Sequence, residues 1–121
     1  MTEYHDCKNE QQFKMKWLKL NARPDVTHFC IESEETVKGF PDVMCIDNDT
    51  KQVSFIEFKY TKNSRIKFQP TQPAFYKKYF YLPVHIVAYD AKTDKVHYFT
   101  KENLFYEKSP YRMNDKAEVQ L

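Results

Sequence analysis

The chain of 121 residues has the length of one ordinary domain, and we expect a single domain over residues 1–121. Aromatic residues make up 17% of the sequence, which is enough for a dense core. No apolar run approaches the ~20 residues of a membrane span, and the first ten residues, MTEYHDCKNE, lack the apolar region of a signal peptide. These features exclude a membrane-spanning class and predict a non-secreted protein.

The cysteine pattern also favours a non-secreted protein. Three cysteines are present, an odd number, and none of them forms a CxxC pair: Cys7, Cys30 and Cys45. Such a pattern is typical of reduced thiols in a cytosolic compartment. We therefore expect the protein to be cytoplasmic.

The net charge of +2 conceals a strong asymmetry along the chain. No acidic residue lies between Phe58 and Tyr89, and the basic residues of this stretch are Lys59, Lys62, Arg65, Lys67, Lys77 and Lys78. Aromatic residues are interleaved with them. A basic, aromatic stretch is suited to a nucleic-acid backbone. The alternative is a solvated basic surface over aromatic residues of the core.

In chain order, the first predicted element is a helix over residues 6–20, which Asp6 or Asn9 can cap. Apolar residues recur there with helical spacing, at Phe13, Trp17 and Leu20. Glu10 lies three residues before Phe13 and therefore shares its inward face. A glutamate in the first turn also interacts favourably with the helix dipole.

The later elements alternate between strands and helices. The predicted strands are Val26–Ile31, Val43–Ile46, Val53–Tyr60, Val84–Tyr89 and Val96–Phe99. A second helix is predicted over Gln72–Tyr81, capped by Thr71, and a short third helix, capped by Thr100, is predicted to extend through Tyr106. Polar loops are expected at Glu32–Lys38 and Lys62–Thr71, and a partly ordered tail at 107–121. This order predicts an α/β protein with a mixed central β-sheet flanked by helices.

The two central strands form a predicted hairpin that brings two carboxylates together. If Asp49 and Thr50 form a two-residue loop, the antiparallel register sets Asp42 opposite Glu57. Directly opposed residues have Cβ atoms roughly 5 Å apart, so like charges repel there. Strand alternation also places Lys59 on the face of Glu57. A divalent cation such as Mg²⁺, which prefers oxygen ligands, would relieve the repulsion.

These residues resemble the motifs of the PD-(D/E)XK nuclease superfamily. Pro41-Asp42 matches the PD element, and Glu57-Phe58-Lys59 matches the ExK element. Within the superfamily, GFPDV at 39–43, FIEFK at 55–59 and the later Gln72 look most like the virus-type replication–repair nucleases, which border the archaeal-type Holliday-junction resolvases. The resemblance covers residues 6–90, and its motifs lie within 39–76. It implies a restriction-endonuclease-like fold.

The resemblance also implies a set of site residues. Asp42, Glu57 and the backbone carbonyl of Phe58 would bind Mg²⁺ or Mn²⁺. Lys59 would orient or deprotonate the attacking water, or hold the scissile phosphate. Gln72 would position the nucleophile or the DNA, with Gln69 as a competing candidate. Glu10 would join the metal site, unless it serves only the helix dipole. The alternative for Asp42, Glu57 and Lys59 is a purely structural Glu–Lys ion pair at the surface of the sheet.

For the substrate, the resemblance implies DNA, with branched junctions preferred, and an endonuclease of a virus or mobile element in the host cytoplasm. The substrate-binding residues would be Arg65, Lys67, Lys77, Lys78 and Tyr76. Because a resolvase must cut two strands, we expect a homodimer. The alternatives are a nuclease of the same fold acting on RNA or on a restriction-type DNA site, and a nucleic-acid-binding module without catalysis.

Overall fold

The computed structural model describes residues 1–31 and 38–121. It contains two α-helices, Glu10–Leu20 (α1) and Thr71–Lys78 (α2). The strands are Val26–Cys30 (β1), Val43–Asp47 (β2), Val53–Thr61 (β3), Arg65–Lys67 (β4), Val84–Asp90 (β5), Lys95–Thr100 (β6) and Glu118–Gln120 (β7). A 3-10 helix, Lys101–Leu104, follows β6. Most of the predicted loop Glu32–Lys38 lies outside the described residues.

Five strands form the central sheet in the order β1-β2-β3-β5-β6. The β3–β5 pair is parallel and the other pairs are antiparallel, which confirms the predicted mixed sheet. The crossover between the parallel strands contains α2, as expected for a parallel connection. Among the described helices, none is both long and apolar enough to cross a membrane.

Alternation along β3 divides its side chains between two apolar clusters, one on each face of the sheet. Ile56 and Phe58 pack with α1 and the N-terminal residues, where Phe13 is the fully buried residue of the helix. Phe55 packs on the opposite face with α2 and β4. We call these the α1 face and the α2 face. Glu57 and Lys59 follow Phe55 at intervals of two and therefore share the α2 face.

The structure confirms the predicted hairpin register but not the two-residue loop. Val43 pairs with Ile56 and Ile46 with Val53, so Asp42 falls opposite Glu57 when the register is continued by one residue. The loop is longer because the Asp47 carboxylate accepts hydrogen bonds from the Asp49 and Thr50 N–H groups. Lys51 then closes the turn with a φ of 65°. Either loop preserves the same pairing, since both are centred on the same point of the chain.

The C-terminal segment differs from the predicted tail. Residues 65–67, expected in a polar loop, form β4 and pair with β7 near the end of the chain. One apolar residue of each strand is fully buried, Ile66 in β4 and Val119 in β7. The sequence gives little indication of this pair, because strands of three residues are too short to show alternation.

Helix boundaries also differ from the prediction. The first helix begins at Glu10 because Asn9 is extended and caps it, with its side chain accepting from the Gln12 N–H at 2.8 Å. Thr71 is the first residue of α2 and not its cap; Pro70 occupies the cap position. α2 also ends earlier than predicted, at Lys78. The third helix is a single 3-10 turn, closed by a capping box between Thr100 and Asn103.

Gly39 has a structural reason to be glycine. Its φ of +88° lies in the left-handed region, which strains residues with a side chain. A Cβ at this position would also overlap the Thr71 carbonyl and lie 3.1 Å from the Gln72 Cα. The chain before β2 therefore lies directly against the start of α2.

Candidate active site

The predicted catalytic residues come together at one end of the α2 face. Asp42 immediately precedes β2, while Glu57 and Lys59 lie in the second half of β3. Gln72 lies in the first turn of α2, which Gly39 brings close to the same strands. The site is thus built from the start of β2, the middle of the sheet and the N-terminal end of a helix.

Glu57 is a buried carboxylate whose charge is poorly compensated. Only 3% of the residue is exposed, and its Oε1 atom has no hydrogen-bond partner among the described residues. Burial raises the pKa of Glu57 well above its ordinary value, and the charge of Asp42 raises it further, while Lys59 opposes the shift. A hydrogen bond shared with the Asp42 carboxyl favours the protonated form. The two carboxyl groups therefore lie close enough to compete for one proton.

Asp42 is fixed by the strands on both sides. Its Oδ2 accepts a hydrogen bond of 3.0 Å from the Phe58 N–H, and its backbone carbonyl accepts one of 2.8 Å from Ile31. Because N–H and C=O of one strand residue face the same neighbour, the Phe58 carbonyl also faces the β2 side. Continued by two residues, the register sets Pro41 opposite Phe58. Proline has no N–H to donate to that carbonyl.

Lys59 is held by contacts on several sides. Its Nζ donates to the Gln72 side chain at 2.9 Å and to the Lys67 carbonyl at 3.2 Å. It also lies 4.0 Å from a Glu57 oxygen and 4.6 Å from the centre of the Phe68 ring. These contacts restrain the ammonium group beside the paired carboxyls.

Gln72 is the glutamine that reaches the site. Its Oε1 accepts from Lys59 and, at 2.9 Å, from the backbone N–H of Gln69. Gln69 itself is exposed and contributes this backbone group. Of the two candidates that the sequence left open, the structure brings the side chain of Gln72 to Lys59.

Glu10 lies within electrostatic range of the same residues, although it is exposed at the start of α1. Partial desolvation raises the pKa of its carboxyl, Lys59 lowers it and Asp42 raises it. Glu10 is also in the first helical turn. The two roles considered from the sequence are therefore compatible with one position.

The predicted substrate-binding residues do not share one environment. Arg65 and Lys67 are exposed on β4, and Lys77 and Lys78 are exposed at the other end of α2. Tyr76 is only 1% exposed, and its hydroxyl has no hydrogen-bond partner among the described residues. Burial raises its pKa, and the charges of the two carboxyls raise it further. Tyr76 thus belongs to the interior of the site and presents no ring face to a base.

The donor set fits a hard divalent cation. Within the described ranges, no group of three or more His, Cys, Asp and Glu side chains is arranged to hold a metal ion. Mg²⁺ does not require one, since it binds through one or two carboxylates and keeps water or phosphate as its other ligands. Asp42, Glu57 and the Phe58 carbonyl provide such a set. The unpartnered oxygen of Glu57 is the observation that favours it.

The sequence did not predict the role of Phe68. It is fully buried, its ring lies beside the Lys59 ammonium, and it packs against Tyr76 with 6.2 Å between ring centres. An isolated aromatic residue in a polar segment gives no indication of such a role. Only the pairing of β4 with β7 places it there.

The sequence matches no protein-family model and no curated protein sequence. The fold, by contrast, is similar to that of a solved structure, the Holliday junction resolvase Hjc of the hyperthermophilic archaeon Archaeoglobus fulgidus. The similarity covers 91% of this chain and 87% of that one, with a TM-score of 0.61 and 10% sequence identity. The protein therefore has the restriction-endonuclease-like fold that the motif resemblance implied.

Proposed function

We propose that the protein is a metal-dependent endonuclease that hydrolyses phosphodiester bonds in DNA. The observation that carries the proposal is the buried Glu57 carboxyl, which has an unpartnered oxygen, lies next to the Asp42 carboxyl and is 4.0 Å from the Lys59 ammonium. A purely structural ion pair would satisfy its buried oxygens. This arrangement instead leaves one buried acceptor oxygen of Glu57 available to a ligand.

Asp42, Glu57 and the Phe58 carbonyl would hold Mg²⁺ or Mn²⁺. The ion, when bound, would acidify a water molecule and neutralise charge on the phosphate in the transition state. The protein side chains have separate tasks. Lys59 places a positive charge at the edge of the carboxylate pair, and Gln72 fixes the position of that charge by accepting its hydrogen bond. Glu10 adds a further carboxylate near the same group.

For the substrate we propose branched DNA, and for the enzyme a homodimer, within the virus-type branch of these nucleases. Three considerations support this substrate: the motif resemblance, the fold similarity to a Holliday junction resolvase, and the exposed basic residues on β4 and α2. A dimer would provide the two active sites that two symmetric cuts require. The same chemistry on RNA, or on a linear duplex, would use the same carboxylates.

The experiment is a cleavage assay with Mg²⁺ or Mn²⁺ on four-way, flapped, linear and single-stranded DNA and on RNA. We expect cleavage of branched DNA that EDTA stops. Glu57→Gln should lower the rate on the order of a thousandfold, because several kcal/mol of transition-state stabilisation are lost. We also expect Mg²⁺ to raise the melting temperature of the parent, and Glu57→Gln should remove this rise.

The matched control is Glu3→Gln, an exposed glutamate in the N-terminal segment that belongs to no part of the proposed site. It should cleave at the parent rate. Full activity in EDTA, or an unchanged rate for Glu57→Gln, would reject the metal-dependent nuclease. Binding of branched DNA without any cleavage would favour the non-catalytic module.

A further inference from the structure

A second concave region lies outside the carboxylate site, between the C-terminal end of α2 and the 3-10 helix. Its volume is about 700 Å³, within the range of about 300–1,000 Å³ that is typical of pockets for drug-sized ligands. It is lined by Tyr76, Lys77, Phe80, Lys101, Glu102 and Phe105. We call this region the α2 cleft. A nucleotide is a ligand of that size.

The cleft offers exposed aromatic rings. Phe80 is 73% exposed, and Phe105 is partly exposed on the opposite element. Lys77 lies with its Nζ 5.3 Å from the centre of the Phe105 ring. Aromatic faces beside a cation form the type of platform on which unpaired bases stack.

Lys101 provides a buried cation in the wall of the same cleft. Only 3% of this residue is exposed. Its Nζ donates to the Phe80 carbonyl at 2.6 Å and to the Glu102 carboxylate. An ammonium group has three donors, and the described residues supply no third acceptor. With Lys77 added, the cleft holds two cations against one carboxylate, which favours a ligand that is anionic and rich in acceptors.

The position of the cleft connects it with the carboxylate site. α2 carries Gln72, which contacts Lys59, in its first turn and leads into Phe80 just beyond its last residue. Eight residues at the helical rise correspond to about 12 Å. Tyr76, between them, lines the cleft and lies near the carboxyl pair. A nucleic-acid strand bound at the carboxylates would therefore reach the cleft within a few nucleotides.

We propose that the α2 cleft binds one unpaired nucleotide of the substrate. The base stacks on Phe80, the phosphate lies at Lys77, and the remaining donor of Lys101 meets a carbonyl oxygen of the base. This inference rests on the proposed nuclease function and deepens it. It gives the protein a direct means of preferring DNA with unpaired nucleotides over a continuous duplex.

The test compares two DNA duplexes of one sequence, one blunt and one with a short unpaired extension, by fluorescence anisotropy in EDTA. We expect the parent to bind the extended duplex more tightly. Phe80→Ala should reduce this preference about tenfold or more, the loss typical of one stacked base. Phe80→Tyr, which keeps a ring, should retain it. Thermal melts would verify that each variant is folded.

Tyr98→Ala is the matched control, since Tyr98 is 58% exposed but contacts Trp17 on the α1 face. It should keep the preference of the parent. An equal affinity of the parent for both duplexes, or an unchanged preference in Phe80→Ala, would overturn the proposal while leaving the nuclease function intact. A parent that binds and cuts no nucleic acid would reject both. Loss of a dimer in Phe80→Ala, with equal weakening on both duplexes, would instead assign the cleft to contact between two copies.

Discussion

The two faces of β3 differ in what they bury. Toward α1 the strand presents Ile56 and Phe58, which join a cluster of rings and aliphatic side chains. Toward α2 it presents Phe55 and then Glu57 and Lys59, two ionisable groups that are nearly as buried as their apolar neighbours. Both faces belong to the same nine residues, so local backbone structure cannot explain the contrast.

The contrast indicates that the α1 face serves stability, whereas the α2 face serves function. Burying a charge costs free energy unless partners offset it, and replacing such groups by apolar residues is often stabilising. The α1 face follows the rule for an ordinary core. The α2 face departs from it at the point where Asp42, Gln72 and Lys59 meet, which suggests that the departure serves ligand binding.

The largest effect on stability is expected on the α1 face. Phe13 packs against Tyr4, Phe58 and Tyr89, with ring centres 5.1, 6.0 and 5.5 Å away. Phe13→Ala should lower the free energy of unfolding by about 3–5 kcal/mol, because it leaves a cavity in a close-packed cluster. Urea unfolding followed by circular dichroism would measure the loss.

Met15→Ala provides the control for that helix, since Met15 is exposed. It should change stability by no more than about 0.5 kcal/mol. If the two substitutions cost the same, the α1 face would not be the stabilising core that its packing indicates.

The next effect concerns catalysis on the α2 face. Lys59→Met removes the ammonium but keeps the packing over Phe68. Cleavage should slow about a hundredfold or more, while affinity for DNA changes little, because the charge acts mainly in the transition state. Single-turnover rates and binding curves would separate the two quantities. A variant that cuts at the parent rate would make Lys59 structural.

A smaller effect is expected at the exposed end of α2. Lys77 and Lys78 are exposed and would act on phosphates by charge. Their double replacement by alanine should flatten the log–log dependence of affinity on salt by about 0.9 units per lost contact. A slope equal to that of the parent would place the substrate elsewhere on the protein.

The hairpin shows what the sequence could predict. The alternating pattern of β3 and the polar turn before it were sufficient for the register that sets Asp42 opposite Glu57. The loop was beyond prediction in detail, because it depends on hydrogen bonds that the Asp47 side chain makes to its own turn. Burial of one strand face specifies the pairing register, whereas it does not specify the geometry of the loop.

The surroundings of Lys59 show what the sequence could not predict. The Lys67 carbonyl and the Phe68 ring reach this residue because β4 pairs with a strand more than fifty positions later. Tyr76 fits a helical stripe in the sequence, but that pattern does not tell whether the ring lies at the surface or, as here, in the interior. Such features arise from tertiary packing, which motifs do not encode.

The pH dependence of stability should distinguish the two faces further. The pKa of Glu57 is raised in the folded protein, so its contribution is fully present below the unfolded value of about 4.3 and is lost as pH rises through the folded value. Metal-free protein should therefore lose stability as pH increases above about 4.3. Glu57→Gln should be more stable than the parent at neutral pH, because it removes the buried charge.

Urea unfolding of both proteins in EDTA across this pH range would measure the difference. Adding Mg²⁺ should reverse it by stabilising the parent alone. Parallel pH profiles for the two proteins would contradict the buried, uncompensated state of Glu57.

The smallest effect is also a pH dependence of stability, but on the α1 face stability is lost as pH falls and not as it rises. Asp94, in the turn between β5 and β6, accepts hydrogen bonds from the Tyr89 hydroxyl and from the backbone N–H and hydroxyl of Thr2. These bonds lower its pKa to about 2. Its contribution is present above the unfolded value of about 3.9 and is lost as pH falls toward 2. Asp94→Asn should flatten the decline in stability over that range, and Tyr89→Phe, which removes one donor, should flatten it partly. An acid profile unchanged in both variants would show that the N-terminal residues are not anchored through this carboxylate.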